Sequence, residues 1–467
     1  MKGFPTPMST NAFVGPIGEI VFELEGEVET CREALLAELI VFFGSAVGRT
    51  AYMPVGRTRH HANLFLALIG QSSRARKGTV RDVAVDLIAT ADAGWAENGV
   101  LGGATSGEGI IAAVRDPLHR RRRATKKEKA DIDLTFEIDS EGYITEEIDA
   151  GVGDKRVVFD EAELSSVFKV AGRDGSTLSE RFRKMFDSGT DRIVNKNTPL
   201  KATNAHVSLN GHSTAEEIKV RLTELDAANG WGNRFMYIAA RRDRRLPGHE
   251  IGDIRLLSLA SPLCDAISWA QEHEPKMEWA AGAWDSWCSW YASVDDDVRG
   301  LVGALTSRAE AHVTRLALTL AVADRATKIN LGHLEAALAF WAYSVATVEW
   351  VWGDASGNPT ADEILRHLRA AGAAGLSRTA IRDLFSRDRK AAHLDTALEL
   401  LEDRGLAARR VVQTGGRPAT WWWHRDFTPG GTERDQNDQR GAFGRFGPDA
   451  SRSRTDRQVD HREVKSQ

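Results

Sequence analysis

The sequence predicts an α/β protein whose first half is a mostly parallel sheet with helices between its strands. Three observations predict it. Short apolar runs at residues 63–69, 156–159, 205–209 and 235–240 alternate with helical patterns. These runs are nearly continuous, as in strands buried on both faces. Polar, acidic or glycine-containing segments follow them, at the carboxyl ends where such sheets bind ligands.

Taken in order, residues 1–12 read as a loose leader and residues 18–21 as a short strand-like piece, followed by an amphipathic helix up to residue 47. The strand of residues 63–69 runs into a polar loop, residues 70–78, and a helical pattern, residues 79–96. Residues 99–105 are a second strand candidate, and Ser106 opens another helix. Residues 118–147, with the run His119 to Arg123, read as an exposed charged insertion. The third, fourth and fifth strands complete a domain of residues 13–250. Residues 251–352 form a helical extension, residues 360–425 a compact module, and residues 428–467, poor in aliphatics, a disordered tail.

A chain of 467 residues is long for one domain, and 42% hydrophobic residues suffice for sizeable cores. A net charge of −5 argues against coating nucleic acid with the whole surface and leaves room for local basic patches. Cys31, Cys264 and Cys288 are scattered, without a CxxC pair, which predicts neither a disulfide framework nor a zinc ribbon and fits a reducing cytoplasm. There is no basic segment followed by a long apolar run at the start, so no signal peptide is expected. The apolar stretch of residues 34–47 contains Glu38 and is too short to cross a bilayer. The expectation is a cytoplasmic protein with no membrane partner.

The loop Gly70 to Thr79 supplies what a phosphate needs: small residues for close approach (Gly70, Ser72, Ser73, Gly78), a cation (Lys77) and a hydroxyl for Mg²⁺ (Thr79) at a helix N-terminus. It departs from G-x-x-x-x-G-K-[ST], being one residue longer with Lys and Gly transposed. The strand of residues 156–159 ends in Asp160 and Glu161; an aspartate there can hold Mg²⁺, and Glu161 is a rival general base. Glu108, between glycines, is placed to activate a water, or to face the positive end of its own helix. Asn210 and His212, expected just after the fourth strand, could sense a γ-phosphate, while Thr214 and Glu217 form a capping box. Arg234, in the glycine-rich segment before the fifth strand, could reach a neighbouring subunit's nucleotide or pair within its own domain. Arg241, Arg242, Arg244 and Arg245 read as a solvated or DNA-facing patch.

Together, the Gly70–Thr79 loop, Ser106-Gly107-Glu108-Gly109-Ile110, Val114-Arg115-Asp116, Phe159-Asp160-Glu161-Ala162-Glu163, Gly211-His212-Ser213-Thr214 and Asn229-Gly230-Trp231-Gly232-Asn233-Arg234-Phe235 occur in one order. That order resembles the YfjI-like family of RecA-fold P-loop ATPases from phages, plasmids and integrated elements. The family is similar to RepA-like hexameric helicases and is often fused to, or encoded beside, a primase–polymerase. The resemblance covers residues 13–352. It implies Lys77 and Thr79 at the nucleotide phosphates, Asp160 at Mg²⁺, Glu108 as base, and Arg234 as a finger in a homo-oligomeric ring.

The C-terminal module reads as three helices and a hairpin, the order of a winged helix. Ile364, Leu365 and Leu368 share one face of the first helix, and Leu394, Ala397, Leu398 and Leu401 have core spacing in the third. Arg387, Arg389, Lys390 and His393 near the start of that helix, and Arg417 in the hairpin turn, are the candidate DNA contacts. Trp421 to Trp423 read as core closure. The expected function is an ATP- and Mg²⁺-dependent, helicase-like motor on DNA in the replication of a mobile element, with any primase–polymerase acting in trans. The alternative is a non-hydrolysing DNA-binding replication or regulatory protein with a degenerate nucleotide site.

Overall fold

A computed structural model of the chain describes residues 3–71, 75–126, 128–130, 137–194, 199–295, 300–353, 358–385, 391–403, 405–413 and 418–428. The chain divides into two compact units. The larger holds the residues up to 363 together with 393–400, and the smaller holds the rest of the described C-terminal residues.

The entry to the larger unit corrects two expectations. Residues 3–12 are not loose: Met8 and Ala12 are buried, and the Met8 N–H donates to Glu33 Oε1 at 3.1 Å. The expected strand at residues 18–21 lies inside a helix, α1 (Gly15–Leu24). Its buried residues Ile17, Ile20, Val21 and Leu24 follow the i, i+3, i+4, i+7 rule, and Pro16 starts its first turn. Next comes α2 (Arg32–Val47), expected to be amphipathic. Instead every residue from Glu33 to Val47 is buried, so it is a central helix with two carboxylates inside the protein.

The chain continues through the hairpin β1 (Met53–Val55) and β2 (Thr58–His60), then β3 (Phe65–Gly70), α3 (Lys77–Ala91), α4 (Ala93–Gly99), β4 (Val100–Leu101) and α5 (Gly107–Ala113). The charged insertion folds as a hairpin of β5 (Leu118–Arg123) and β6 (Tyr143–Asp149). There follow β7 (Arg156–Glu161), α6 (Leu164–Ala171), α7 (Leu178–Asp187), the hairpin β8 (Asp191–Ile193) and β9 (Leu200–Ala202), β10 (His206–Thr214), α8 (Ala215–Arg221), α9 (Glu224–Ala228) and β11 (Phe235–Ala240).

Five of these strands form one parallel sheet in the order β11-β3-β10-β7-β4. The expected parallel α/β sheet is therefore present. Its central strand β3 alternates between two cores. Leu66 and Leu68 enter the core shared with α1, α2 and α3, and Phe65, Ala67 and Ile69 enter the core shared with α5, α6 and α7. A strand covered on both faces must be apolar at every position, which is why its sequence shows no alternation.

The helical extension comprises α10 (Asp253–His273), α11 (Ala281–Ser293), α12 (Gly300–Thr306), α13 (Ala309–Ala323) and α14 (Leu331–Trp352). It shares its core with the sheet. On α14, Ser344 Oγ and Thr347 Oγ1 accept the N–H groups of Tyr237 and Ala239 at 2.9 and 3.1 Å, satisfying donors on edge strand β11.

The C-terminal elements are α15 (Pro359–Ala371), β12 (Leu376–Ser377), α16 (Arg378–Leu384), α17 (Ala391–Asp403), β13 (Ala407–Val412) and β14 (Ala419–His424). The strands form an antiparallel sheet, β12-β14-β13. The pairing of Leu376 with Trp422 was not anticipated. Trp422 and Trp423 are buried, and Trp423 Nε1 donates to Ala373 O at 3.1 Å, so these two indoles close the core. Among the described residues no helix is long and apolar enough to cross a membrane.

Candidate functional site

The site is built at the carboxyl end of the parallel sheet. β3 ends at Gly70, which pairs in register with Thr214 of β10 and Ala240 of β11. The chain then reaches α3, whose first residue is Lys77. Ser72 and Ser73 lie outside the described residues. The returning segment is held from α2's side of the sheet: Thr30 Oγ1 is shared between the carbonyls of Ala75 (3.2 Å) and Arg76 (3.0 Å), and Arg76 Nε meets Glu29 Oε2 at 3.0 Å. Arg76 sits in the left-handed region at φ 53°, which turns the chain sharply into the helix, and its side chain does not cap α3.

Lys77 folds back over the strand end. A Cβ built on Gly70 would come within 3.1 Å of Lys77 Nζ and 2.6 Å of Ala75 Cβ, so only glycine leaves room for this arrangement. Partial burial lowers the Lys77 ammonium's pKa, opposed by the Glu217 carboxylate. Glu217 belongs to the expected capping box, which is present: the Glu217 N–H donates to Thr214 Oγ1 at 3.1 Å and the Thr214 N–H to Glu217 Oε2 at 3.4 Å. Gly78 and Thr79 are exposed in the first turn of α3.

Asp160 and Glu161 separate because consecutive strand residues face opposite sides. Asp160 pairs in register with Asn210 and faces α2 and α3. Its Oδ1 accepts from Asn210 Nδ2 at 2.9 Å, and its Oδ2 accepts from Arg81 Nε at 2.5 Å and from the Arg81 terminal nitrogen. Glu161 faces the other side, where Oε1 accepts the Ala104 N–H at 2.6 Å. Burial raises the Glu161 pKa, and the Ala104 and Gly103 N–H groups oppose that.

Asn210 and His212 do not follow the fourth strand, as expected, but lie within it, because β10 runs on to Thr214. Two residues apart, they share a face and converge on Glu38 of α2. Asn210 Nδ2 donates to Glu38 Oε2 at 2.8 Å, and His212 Nε2 lies 2.7 Å from Glu38 Oε1. Glu38 is fully buried, which raises its pKa, with His212 opposing. Gly211, between them, faces α6: a Cβ there would lie 2.6 Å from Leu164 Cδ1. A continuous chain thus runs His212–Glu38–Asn210–Asp160–Arg81.

Glu38 and Arg81 are the two residues that the motif reading missed. Glu38 carried a signal, since a carboxylate in an otherwise apolar helix must find partners if it is buried. Arg81 carried one too: it stands four residues after Lys77, on the same face of α3.

The remaining expected groups are more distant or turned away. Glu108 is exposed at the start of α5, beyond edge strand β4. Two strands separate β4 from β3, a lateral distance of about 14 Å. Ser106 caps α5 as expected, accepting the Gly109 N–H at 3.0 Å. Arg234 precedes β11, at the opposite end of the sheet from Gly70. Only 5% exposed, it pairs with Asp187 Oδ2 at 2.5 Å and also bonds the Gly230 carbonyl, and burial lowers its pKa. It is an internal ion pair here.

The arginine runs are neutralised locally. Arg120 meets Glu146 at 2.9 Å, Arg121 meets Asp139 at 2.7 Å and Glu141 at 2.6 Å, and Arg122 meets Glu128 at 2.8 Å. Arg241 pairs with Asp243 at 2.8 Å, and Arg242 pairs with Glu29. Of the expected DNA contacts, His393 is exposed on α17, while Arg387, Arg389, Lys390 and Arg417 lie outside the described residues.

An aspartate offered to Mg²⁺ needs an oxygen to give. Both Asp160 oxygens are engaged, and a guanidinium supplies the positive charge, so Asp160 as arranged does not fit that role. Among the described residues no three His, Cys, Asp or Glu side chains gather as a metal site.

No family model matches the chain, and neither does any of the curated proteins with which it was compared.

Proposed function

We propose that this chain is a RecA-like, ATP-binding protein acting on DNA during replication of a mobile element, with its nucleotide phosphates at Gly70 to Thr79. The observation that carries the reading is Lys77, held over Gly70 at the end of the central strand and the start of a 15-residue helix. An uncapped helix N-terminus, a cation and the exposed Thr79 hydroxyl suit a triphosphate. Asp160, Asn210 and His212 on the neighbouring strands extend the polar end of the sheet. The C-terminal order of helices and a three-stranded antiparallel sheet suits a winged helix, with DNA as its partner. Assembly as a homo-oligomeric ring, and a primase–polymerase supplied in trans, belong to the same proposal.

The second reading, a DNA-binding protein that holds nucleotide without hydrolysing it, is favoured by two observations. Arg81 occupies Asp160, and Arg234 is committed to Asp187.

ATP turnover with and without single-stranded DNA, beside Lys77→Ala, tests the proposal. DNA-stimulated turnover that disappears in the variant supports a motor. Nucleotide binding without turnover selects the second reading. No nucleotide binding at all sinks both.

A further inference from the structure

We propose that Arg81 serves as the built-in cation of this site, so that nucleotide is bound without a divalent metal at Asp160. The inference rests on the nucleotide-site reading above and deepens it.

The argument starts from charge. Asp160 has a side chain only 9% exposed and faces the helix that carries Lys77. A carboxylate so placed needs a positive partner, and two nitrogens of Arg81 supply it on Oδ2. Arg81 is fixed on its other side by Asp82, at 2.8 Å from Nη1. Asn210 holds Asp160 Oδ1, and Glu38, from the buried core, holds Asn210. The aspartate is thus oriented from behind and closed in front by a guanidinium.

Mg²⁺ demands near-octahedral oxygen ligands and gives up its waters reluctantly. To reach Asp160 Oδ2 it would have to break a two-nitrogen arginine contact in a largely buried setting. Lys77 and Arg81 are one turn apart on α3, so two positive groups lie along one helix face beside the strand ends. Together they offset phosphate charge as a metal ion does elsewhere. Arg81 rather than lysine suits the position, because a planar fork can hold a carboxylate and still offer N–H groups to a phosphate.

The test is the affinity of a fluorescent ATP analogue for the full chain in magnesium and in EDTA. For the unaltered protein the two dissociation constants should agree within about threefold. In Arg81→Ala, binding in EDTA should weaken about tenfold or more, and magnesium should recover most of the loss at the freed Asp160. Arg81→Lys, which keeps the charge, should fall between them and guards against a folding defect in the alanine variant; circular dichroism checks both. Affinity of the unaltered protein that collapses in EDTA overturns the inference and leaves the nucleotide site standing. So does an Arg81→Ala variant whose affinity is unchanged in EDTA. Absence of binding in either condition overturns the nucleotide site itself, and this inference with it.

Discussion

Glu38 Oε1 lies 2.7 Å from His212 Nε2, joining residues 174 positions apart inside the protein. The contact ties the most buried helix of the larger unit to the strand beside the phosphate loop. It makes α2 part of the site as well as of the core.

Glu38→Ala should cost about 3–5 kcal/mol in urea unfolding, since it opens a cavity and leaves Asn210 and His212 without their acceptor. Glu38→Gln keeps the volume and one oxygen and should cost about 1–2 kcal/mol. The two variants losing equal stability would mean that the carboxyl group's second oxygen is indispensable.

The same residue gives a pH dependence. Its folded pKa is raised above the ordinary 4.5 by burial, with His212 and Arg81 opposing and Asp160 adding. The stability it contributes is therefore fully present below pH 4.5 and lost as pH rises through the folded value. The advantage of the native residue over Glu38→Gln should shrink from acid to neutral pH. An advantage that grows instead would show that Glu38 is ionised against a charged His212.

Gly70→Ala should destabilise the protein by about 1–3 kcal/mol, because the Ala240 carbonyl, 3.2 Å from the added Cβ, belongs to the sheet and cannot yield. It should also push Lys77 off the strand end and weaken binding of the fluorescent nucleotide about tenfold or more. Unchanged affinity in a folded variant would remove Lys77 from the phosphate.

Arg234→Ala should lower stability by about 1–3 kcal/mol, at the low end if the half-exposed Asp187 rehydrates easily. Asp187→Asn should reproduce much of the effect, with the double variant less than additive. Full stability with lost ATP turnover would instead restore Arg234 as a finger toward a neighbouring subunit.

Arg121→Ala should leave DNA affinity and its salt dependence unchanged, because Asp139 and Glu141 already neutralise that guanidinium. A salt slope reduced by about 1 would place the hairpin on a phosphate.

Thiol alkylation of the native protein should label exposed Cys288 and spare Cys31, whose pKa burial pushes up to about 12. Rapid labelling of Cys31 would mean that the start of α2 opens readily.

Much was legible in the sequence because it depends on local pattern. The continuous apolar runs gave the β3, β7 and β11 strands, and Ser106, Thr214 and Ser377 each mark a helix start as N-cap residues should. The loop with Lys77 was visible because its residue types are adjacent in the chain. Residues 18–21 misled because four apolar or small residues fit a strand as well as a helix; only the wider spacing from Ile17 to Leu24 decides.

What tertiary structure alone decided is which charge meets which. Asp160 and Glu161 are neighbours in sequence, yet strand alternation sends one to Arg81 and the other to the Ala104 backbone. Glu38 meets His212 only because α2 covers the face of the sheet to which β10 turns its even-numbered residues. Arg234 chooses Asp187, 47 positions away, because burial makes an internal acid the cheapest partner for a guanidinium that cannot lose its proton. Periodicity sets the strands and helices. The pairing of buried charges is set by the order in which the strands lie side by side, which no local pattern encodes.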